Sequence, residues 1–178
     1  GFTPNGEVQY SSIGWTNDPH AGSFGNQAAR TIQYDPHNAK RFVVVYTMGT
    51  SPRTGRARIG IIKGTEITYS NEYVFAGAAV REPIFAFDPS VPNKFVVTWR
   101  WDTSNTGWNV AKVGTISDLG GDPTGFQITY GAVQNVGSTA YNTKVHITDI
   151  VFDKNRAGQF CITSSNWWGS LLDQGMII

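Results

Sequence analysis

The chain has one cysteine, little charge and no long apolar run, and each of these shortages excludes a class of protein. Cys161 is the only cysteine, so the fold does not depend on an internal disulfide or an oxidising compartment. Lys and Arg together number 14 and Asp and Glu 13, which leaves a net charge of +1. Nucleic-acid binding requires a basic face, and the closest approach to one is Arg53, Arg56 and Arg58. We therefore predict no nucleic-acid partner.

Signals for membrane insertion and catalysis are missing as well. No segment approaches the roughly 20 consecutive apolar residues of a membrane span, and no signal-peptide pattern is visible. His20, His37 and His146 are not spaced as metal ligands. No nucleophile elbow, phosphate-binding loop or dinucleotide fingerprint occurs. The expectation is a protein that is not an enzyme, uses no cofactor or metal and does not insert into a membrane.

Strand-forming and turn-forming residues are abundant. Aromatic residues make up 13% of the chain, and 20 glycines and 8 prolines supply turns. β-branched and aromatic runs bounded by turn residues are typical of strands, and 178 residues are enough for one domain with a core. The composition therefore predicts an all-β domain.

A repeated motif begins at three aspartates. Asp35, Asp88 and Asp153 each follow an aromatic residue, and seven residues after each one a phenylalanine opens an apolar run. The apolar runs occupy residues 42–46, 95–99 and 160–163. The pattern Ala-x-[Ile/Val]-Gly at residues 57–60 recurs at 111–114, and Ile-Thr-Tyr at 67–69 recurs at 128–130. Most of the chain is thus built from one repeating unit.

The repeating unit predicts four short strands, A to D, and its length is typical of a β-propeller blade. Strand A precedes the aspartate, and strand B is the apolar run that follows it. Strand C carries the Ala-x-Ile-Gly pattern and strand D the Ile-Thr-Tyr pattern. Strand B is apolar at successive positions, which predicts burial on both faces between neighbouring sheets. The glycine of strand C predicts a bulge or the close approach of a neighbouring blade.

The fold prediction is therefore an all-β chain of propeller-like, four-stranded blades. Residues 1–29 are predicted to contain a partial blade (strand D, at residues 8–11) and a connection. Residues 30–82 and 83–145 form one blade each, and residues 146–178 form a partial blade of strands A to C. Three blades are fewer than the roughly four to eight of known rings. Either the chain is part of a longer one, or copies assemble so that strand D of one copy completes strands A to C of another.

The three aspartates have two interpretations. A calcium site would need several oxygen ligands at close alternating positions, and residues 35–42 do not supply them. A turn needs a carboxylate that accepts backbone N–H groups, with proline restricting the backbone beside it. We therefore predict that the three aspartates cap turns and do not bind calcium. Cys161 lies in an apolar run, which predicts a buried, inert thiol.

Tryptophan, asparagine and aspartate cluster in the predicted B–C and D–A connections, which emerge on one face of a propeller. Such residues suit a sugar, because an indole ring stacks on a pyranose while amides and carboxylates bind its hydroxyls. The alternative is that these rings pack between blades or subunits, as we expect for Trp99 in strand B. The candidate glycan-binding residues are Trp15, Asn17, Asp18, Trp101, Asp102, Asn105, Trp108, Asn166, Trp167 and Trp168.

The repeat resembles those of tail-fibre and other virion proteins of marine tailed phages. The likeness covers about residues 8–178, and the third copy departs from it with Lys154 where proline is expected. The resemblance implies a structural virion protein, found in an extracellular particle, whose partners are further copies, other virion proteins and host-surface carbohydrate. The resemblance identifies no catalytic residues in this sequence. Two alternatives stay open: a propeller lectin outside a virus, and a fragment of a glycan-degrading enzyme with acids among Glu82, Asp102, Asp122 and Asp149.

Overall fold

The structure is a computed structural model that describes residues 30–49, 52–103, 106–120, 125–136, 145–166 and 171–177. Within these ranges the regular secondary structure consists of thirteen β-strands, and no helix is present. The all-β prediction is confirmed. Among these residues the strands form three separate antiparallel sheets rather than a closed barrel or a closed propeller ring.

The first sheet is a meander of neighbouring antiparallel strands. Its order is β1-β2-β3-β4, and β5 pairs with β3 beside β4. The strands are β1 (Arg30–Asp35), β2 (Asn38–Met48), β3 (Thr54–Lys63), β4 (Glu66–Tyr69) and β5 (Tyr73–Ala76).

The second and third sheets repeat this order. In the second sheet β6, β7 and β8 are neighbours, and both β9 and β10 pair with β8; in the third, β11, β12 and β13 are neighbours. The strands are β6 (Val80–Phe87), β7 (Lys94–Thr103), β8 (Thr106–Asp118), β9 (Phe126–Tyr130), β10 (Gln134–Val136), β11 (Val145–Phe152), β12 (Gln159–Asn166) and β13 (Leu171–Ile177).

The predicted strands A, B and C are found in each sheet, whereas strand D differs from the prediction. It is divided into two short segments, β4 and β5 in the first sheet and β9 and β10 in the second. The division falls at Ser70 and at Gly131, whose backbone N–H groups donate to Ile59 and Val113 of strand C. The predicted N-terminal strand D at residues 8–11 lies outside the described residues.

Strand B is the buried centre of each sheet. In β2, Val43 and Val45 are fully buried on one face, and Phe42, Val44 and Tyr46 are buried on the other. We call the side of Phe42 and its counterparts Phe95 and Phe160 the front face, and the opposite side the back face. The prediction that strand B is buried on both sides is confirmed for the first two sheets.

The sheets stack in one direction. Phe95, Val97 and Trp99 on the front face of the second sheet pack with Val43 and Val45 on the back face of the first. In the same way, the front face of the third sheet packs on the back face of the second. That second cluster contains Ala86, Val96, Ala111, Val136, Ile147, Ile150, Phe160 and Ile162. Each interface therefore joins a front face to a back face.

The strand-C glycines accommodate a ring from their own sheet. Gly60 pairs with Phe42 and Gly114 with Phe95 across neighbouring strands. A Cβ on Gly60 would lie 2.1 Å from Phe42 Cζ, and one on Gly114 would lie 2.2 Å from Phe95 Cζ. The close approach is real, but the expectation that a neighbouring blade or a bulge causes it is wrong. The aromatic ring of strand B lies across the glycine.

The three aspartates cap turns, as predicted. Oδ1 of Asp35, Asp88 and Asp153 accepts the backbone N–H two residues further on, at 2.8, 2.8 and 2.9 Å. Oδ2 of Asp88 also accepts the N–H of Gly158 from the third sheet at 2.8 Å. Asp35 binds Arg41. The turns thus satisfy the carboxylates and connect neighbouring sheets.

The expectation of a buried Cys161 is wrong. Its side chain is exposed on the back face of the third sheet, where its cross-strand neighbour Val151 is 58% exposed. The counterparts of Cys161 in the first two sheets, Val43 and Val96, are 0% and 3% exposed. An apolar run indicates a strand, but the next layer of structure decides which of its faces is buried.

Candidate functional site

A cleft opens between the first and second sheets, at the end where the D–A connection and the B–C hairpin lie. It has a volume of about 310 Å³, near the lower end of the range of about 300–1,000 Å³ for small-molecule sites. We call it the Trp101 cleft. Its lining residues are Val74, Phe75, Ala76, Gly77, Ala78, Trp99, Trp101, Lys112 and Val133.

Aromatic rings form the inner wall of the Trp101 cleft. Trp99 is 1% exposed, and its ring centroid lies 5.2 Å from that of Phe75 in the first sheet. Trp101, two residues further along β7, is partly buried and packs against the same core cluster. Successive alternate residues of a strand lie on one side of the sheet, so β7 presents two indoles to the gap between the sheets. The predicted packing role of Trp99 is confirmed.

Hydrogen-bond donors accompany these rings. Lys112 Nζ donates to the backbone carbonyl of Phe75 at 2.8 Å, so an ammonium group lies at the cleft wall. The indole N–H of Trp99 is buried and has no hydrogen-bond partner among the described residues. A buried donor without a partner costs about 1–3 kcal/mol. The wall therefore combines apolar rings with one ammonium donor that suits an oxygen-rich ligand, whereas the Trp99 N–H is buried behind the wall surface.

A fourth ring, that of Tyr130, packs against the wall from the core side. Tyr130 of β9 lies with its ring centroid 6.1 Å from that of Phe75 and 6.2 Å from that of Phe95. Burial raises the pKa of the Tyr130 hydroxyl well above its ordinary value. The hydroxyl is therefore neutral at physiological pH and adds no charge beside Lys112.

The D–A connection and the start of β6 have an uncommon backbone. Ala79 and Glu82 have φ angles of 57° and 50°, in the left-handed region that side chains other than glycine rarely adopt. The pairing of β6 with β7 shifts register between Arg81 and Ile84. Backbone strain of this kind is concentrated at functional sites. Glu82 itself lies 3.5 Å from Arg100, so this carboxylate is ion-paired.

The structure describes only part of the predicted glycan site. Trp101 lines the cleft, and its cross-strand partner in β8 is Trp108. These residues belong to the strands of the B–C hairpin rather than to its loop, because pairing continues to Thr103 and Thr106. Backbone positions alone are described for Asp102, Trp108 and Asn166. The remaining predicted residues lie outside the described residues: Trp15, Asn17, Asp18, Asn105, Trp167 and Trp168.

Sequence reasoning missed Phe75 and Lys112. Phe75 lies in the second half of strand D, which the repeat pattern did not include. Lys112 interrupts the apolar run of strand C between Ala111 and Val113, and a charge inside such a run was the signal that could have identified it.

A second cavity, of about 230 Å³, lies between the second and third sheets at their opposite end. Its lining is mostly apolar and includes Phe95, Phe152 and Phe160. The carboxylate of Asp88 at its edge is occupied by backbone N–H groups. Lys94 also lines this cavity, and its Nζ donates to Thr115 Oγ1 at 2.7 Å.

Among the described residues, His, Cys, Asp and Glu side chains form no group of three that could hold a metal ion. No helix long and apolar enough to cross a membrane occurs in the same residues.

Comparison with known proteins yields no relative. No family model, curated protein or solved structure matches the chain. The likeness to phage tail-fibre repeats therefore stays a prediction from the repeat pattern.

Proposed function

We propose that the chain is a non-enzymatic structural protein of a tailed-phage particle, built from propeller-type blades, and that its Trp101 cleft contacts a host-surface glycan. The observation that carries the glycan proposal is that Trp101 and Lys112 line one cleft between two sheets, over the buried ring of Trp99. The accessible part of the Trp101 indole binds the apolar face of a sugar ring, while the Lys112 ammonium binds its oxygens. The repeat pattern and its resemblance to virion repeats support the structural part.

The charge of Lys112 narrows the class of glycan. Its Nζ already donates to one carbonyl, but an ammonium has three N–H donors. A partly buried cation gains most from an anionic acceptor, because the local dielectric constant is lower than that of water. An acidic sugar, such as a uronic acid, therefore fits the cleft better than a neutral one.

Titration calorimetry with two probes tests this proposal. We expect a uronic-acid hexasaccharide to bind more tightly than a neutral glucose hexasaccharide. Trp101→Ala should weaken binding of the acidic probe by about tenfold, and Lys112→Gln should remove the preference for it. Leu119→Ala, at an exposed position (70%) in the C–D connection, is the matched control and should bind like the unmodified chain. Circular dichroism verifies that each variant is folded.

Equal binding by the Trp101→Ala variant and the unmodified chain would contradict the cleft as the glycan site. The virion assignment has a separate test, peptide mass spectrometry of purified tailed-phage particles. Peptides of this chain in the particles would support the structural role. Glycan binding without such peptides would favour the lectin alternative.

A further inference from the structure

The cavity between the second and third sheets corresponds to a place at the first interface that is filled. We call it the Lys94 cavity, and its volume is about 230 Å³. Its lining residues are Asp88, Val91, Lys94, Phe95, Val96, Val113, Phe152, Gly158 and Phe160. Lys94 is the counterpart of Arg41, because each stands six residues after its turn aspartate. The repeat therefore allows the two places to be compared.

At the first interface, Arg41 and an aromatic ring occupy this place. The Arg41 guanidinium binds Asp35 of its own turn and donates to the side-chain oxygen of Asn93 in the second sheet. It also lies 5.5 Å from the ring centroid of Phe126, which is buried in the same core cluster. The first interface thus holds a ring against a cation.

Two replacements open the same place at the second interface. Gly158 stands where the first interface has Asn93, and both have left-handed φ angles, of 76° and 63°. Gly158 has no side chain to meet Lys94, whose Nζ donates instead to Thr115 Oγ1 of its own sheet at 2.7 Å. In the described part of the third sheet, no strand-D ring takes the place of Phe126. The cation therefore borders a cavity and not a ring.

The lining of the Lys94 cavity suits an aromatic ring. Three rings, those of Phe95, Phe152 and Phe160, form much of the wall. An apolar cavity of about 150 Å³ is large enough to bind benzene, so the volume here accommodates one substituted ring. The face of such a ring attracts an ammonium group as it attracts a guanidinium.

Asp88 decides the charge of the ligand. Its carboxylate lines the cavity and is 3% exposed. It accepts backbone N–H groups from its own turn and from Gly158, which hold it in place. A second negative charge beside it would be repelled. A neutral ring therefore fits the cavity better than an aromatic carboxylate.

We propose that the Lys94 cavity is a binding site for a neutral, single-ring aromatic group. The ring lies among the three phenylalanines with its face toward the Lys94 ammonium, as the Phe126 ring lies beside Arg41. The proposal does not rest on glycan binding, because the Trp101 cleft lies between the other pair of sheets.

An NMR titration of the ¹⁵N-labelled chain tests the proposal with three probes of similar size. Phenol is a neutral aromatic ring, cyclohexanol lacks the aromatic face, and benzoate carries a negative charge. We expect phenol to shift the amide signals of Lys94, Val96 and Gly158 and to bind about threefold more tightly than either other probe. Equal affinity for phenol and cyclohexanol, or no saturating shifts at these amides, would overturn the proposal.

Variants separate the cation from the space. Lys94→Met keeps an unbranched side chain without its charge, so affinity for phenol should fall about threefold while that for cyclohexanol is unchanged. Gly158→Asn restores the side chain found at this position in the first interface and should weaken both probes at least tenfold. Gly120→Asn is the matched control, because Gly120 has a φ angle of 77° and free space around it. If Gly158→Asn fails to fold by circular dichroism, Val91→Phe narrows the cavity instead.

A peptide distinguishes a free aromatic compound from a ring delivered by another polypeptide. The peptide has the sequence of residues 125–131, which carries Phe126 in the strand-D pattern. If a strand delivers the ring, this peptide should bind the cavity at least tenfold more tightly than phenol; if a free compound does, it should bind no better. Both results support a ring site. A peptide that binds equally well with alanine in place of the phenylalanine would contradict it.

Discussion

The interface between the first and second sheets and the interface between the second and third are built on the same repeat, but they bury different side chains. The first contains six buried aromatic rings, those of Phe75, Phe85, Phe87, Phe95, Trp99 and Phe126. Among the described residues of the second, the one buried ring is Phe160, and Ala86 and Ala111 stand among its aliphatic partners. The repeat determines which positions meet, and the residues at those positions determine how much apolar surface is buried.

Polar links between the sheets differ as well. At the first interface the Gln33 side chain donates to Phe85 O at 2.9 Å and accepts from Phe87 N at 3.4 Å. The counterpart of Gln33 in the second sheet is Ala86, which makes no such bond. There, the turn supplies the link through Asp88 and Gly158. The same stacking direction is thus maintained by different hydrogen bonds.

The largest expected effect comes from removing a strand-B ring. Phe95→Ala should destabilise the chain by about 4 kcal/mol, because Phe95 is fully buried and contacts Phe85, Phe87 and Tyr130. Phe160→Ala should cost about 3 kcal/mol, because its only ring neighbour among the described residues is Phe152. Urea unfolding of both variants measures the difference. If Phe160→Ala lost as much stability as Phe95→Ala or more, the conclusion that the ring contributes more at the first interface than at the second would be wrong.

The turn aspartates should show an intermediate effect. Asp88 is 3% exposed and accepts N–H groups from Ser90, Val91 and Gly158, so Asp88→Ala should cost about 3 kcal/mol. Asp153 is more exposed and accepts one N–H group within its own turn, so Asp153→Ala should cost about 1 kcal/mol. Thermal unfolding of the two variants compares a carboxylate that binds a neighbouring sheet with one that binds only its own turn. Similar losses of stability in the two variants would show that the hydrogen bond from Gly158 to Asp88 contributes little to the stability of the fold.

At the strand-C glycine we expect a smaller effect than at Asp88. Gly114→Ala should cost about 2 kcal/mol, because the new methyl group meets the Phe95 ring. Gly131→Ala is the control: its nearest atom, Val113 O, would lie 3.8 Å away, and we expect no loss of stability.

A double-mutant cycle identifies the cause of that loss. In a Phe95→Leu background, Gly114→Ala should cost less than in the unmodified chain, since the ring that opposes the methyl group is absent. An unchanged cost would mean that the Phe95 ring is not what requires glycine. The third sheet pairs Phe160 with Met176 instead of a glycine, so this packing is specific to the first two sheets.

Several features of the fold could be predicted because they depend on short-range patterns. The aspartate, the turn and the apolar run of strand B lie within a few residues of each other, and their spacing identified strands A, B and C. The division of strand D could not be predicted, because it depends on hydrogen bonds from Ser70 and Gly131 to strand C. The exposure of Cys161 could not be predicted either, because the same kind of apolar strand is covered in the second sheet and open in the third.

The sequence by itself determined the all-β class, the repeat, the turn-capping aspartates and the burial of Trp99, because alternation and spacing are properties of the local chain. The tertiary structure alone decided that Phe75, Trp101 and Lys112 line one cleft, since they come from different strands in two sheets. It also decided that Val151 and Cys161 are exposed, because no neighbouring sheet among the described residues covers that face of the third sheet. The physical reason is that hydrophobic burial is set by neighbouring layers, whereas strand formation follows from the residues of the strand itself.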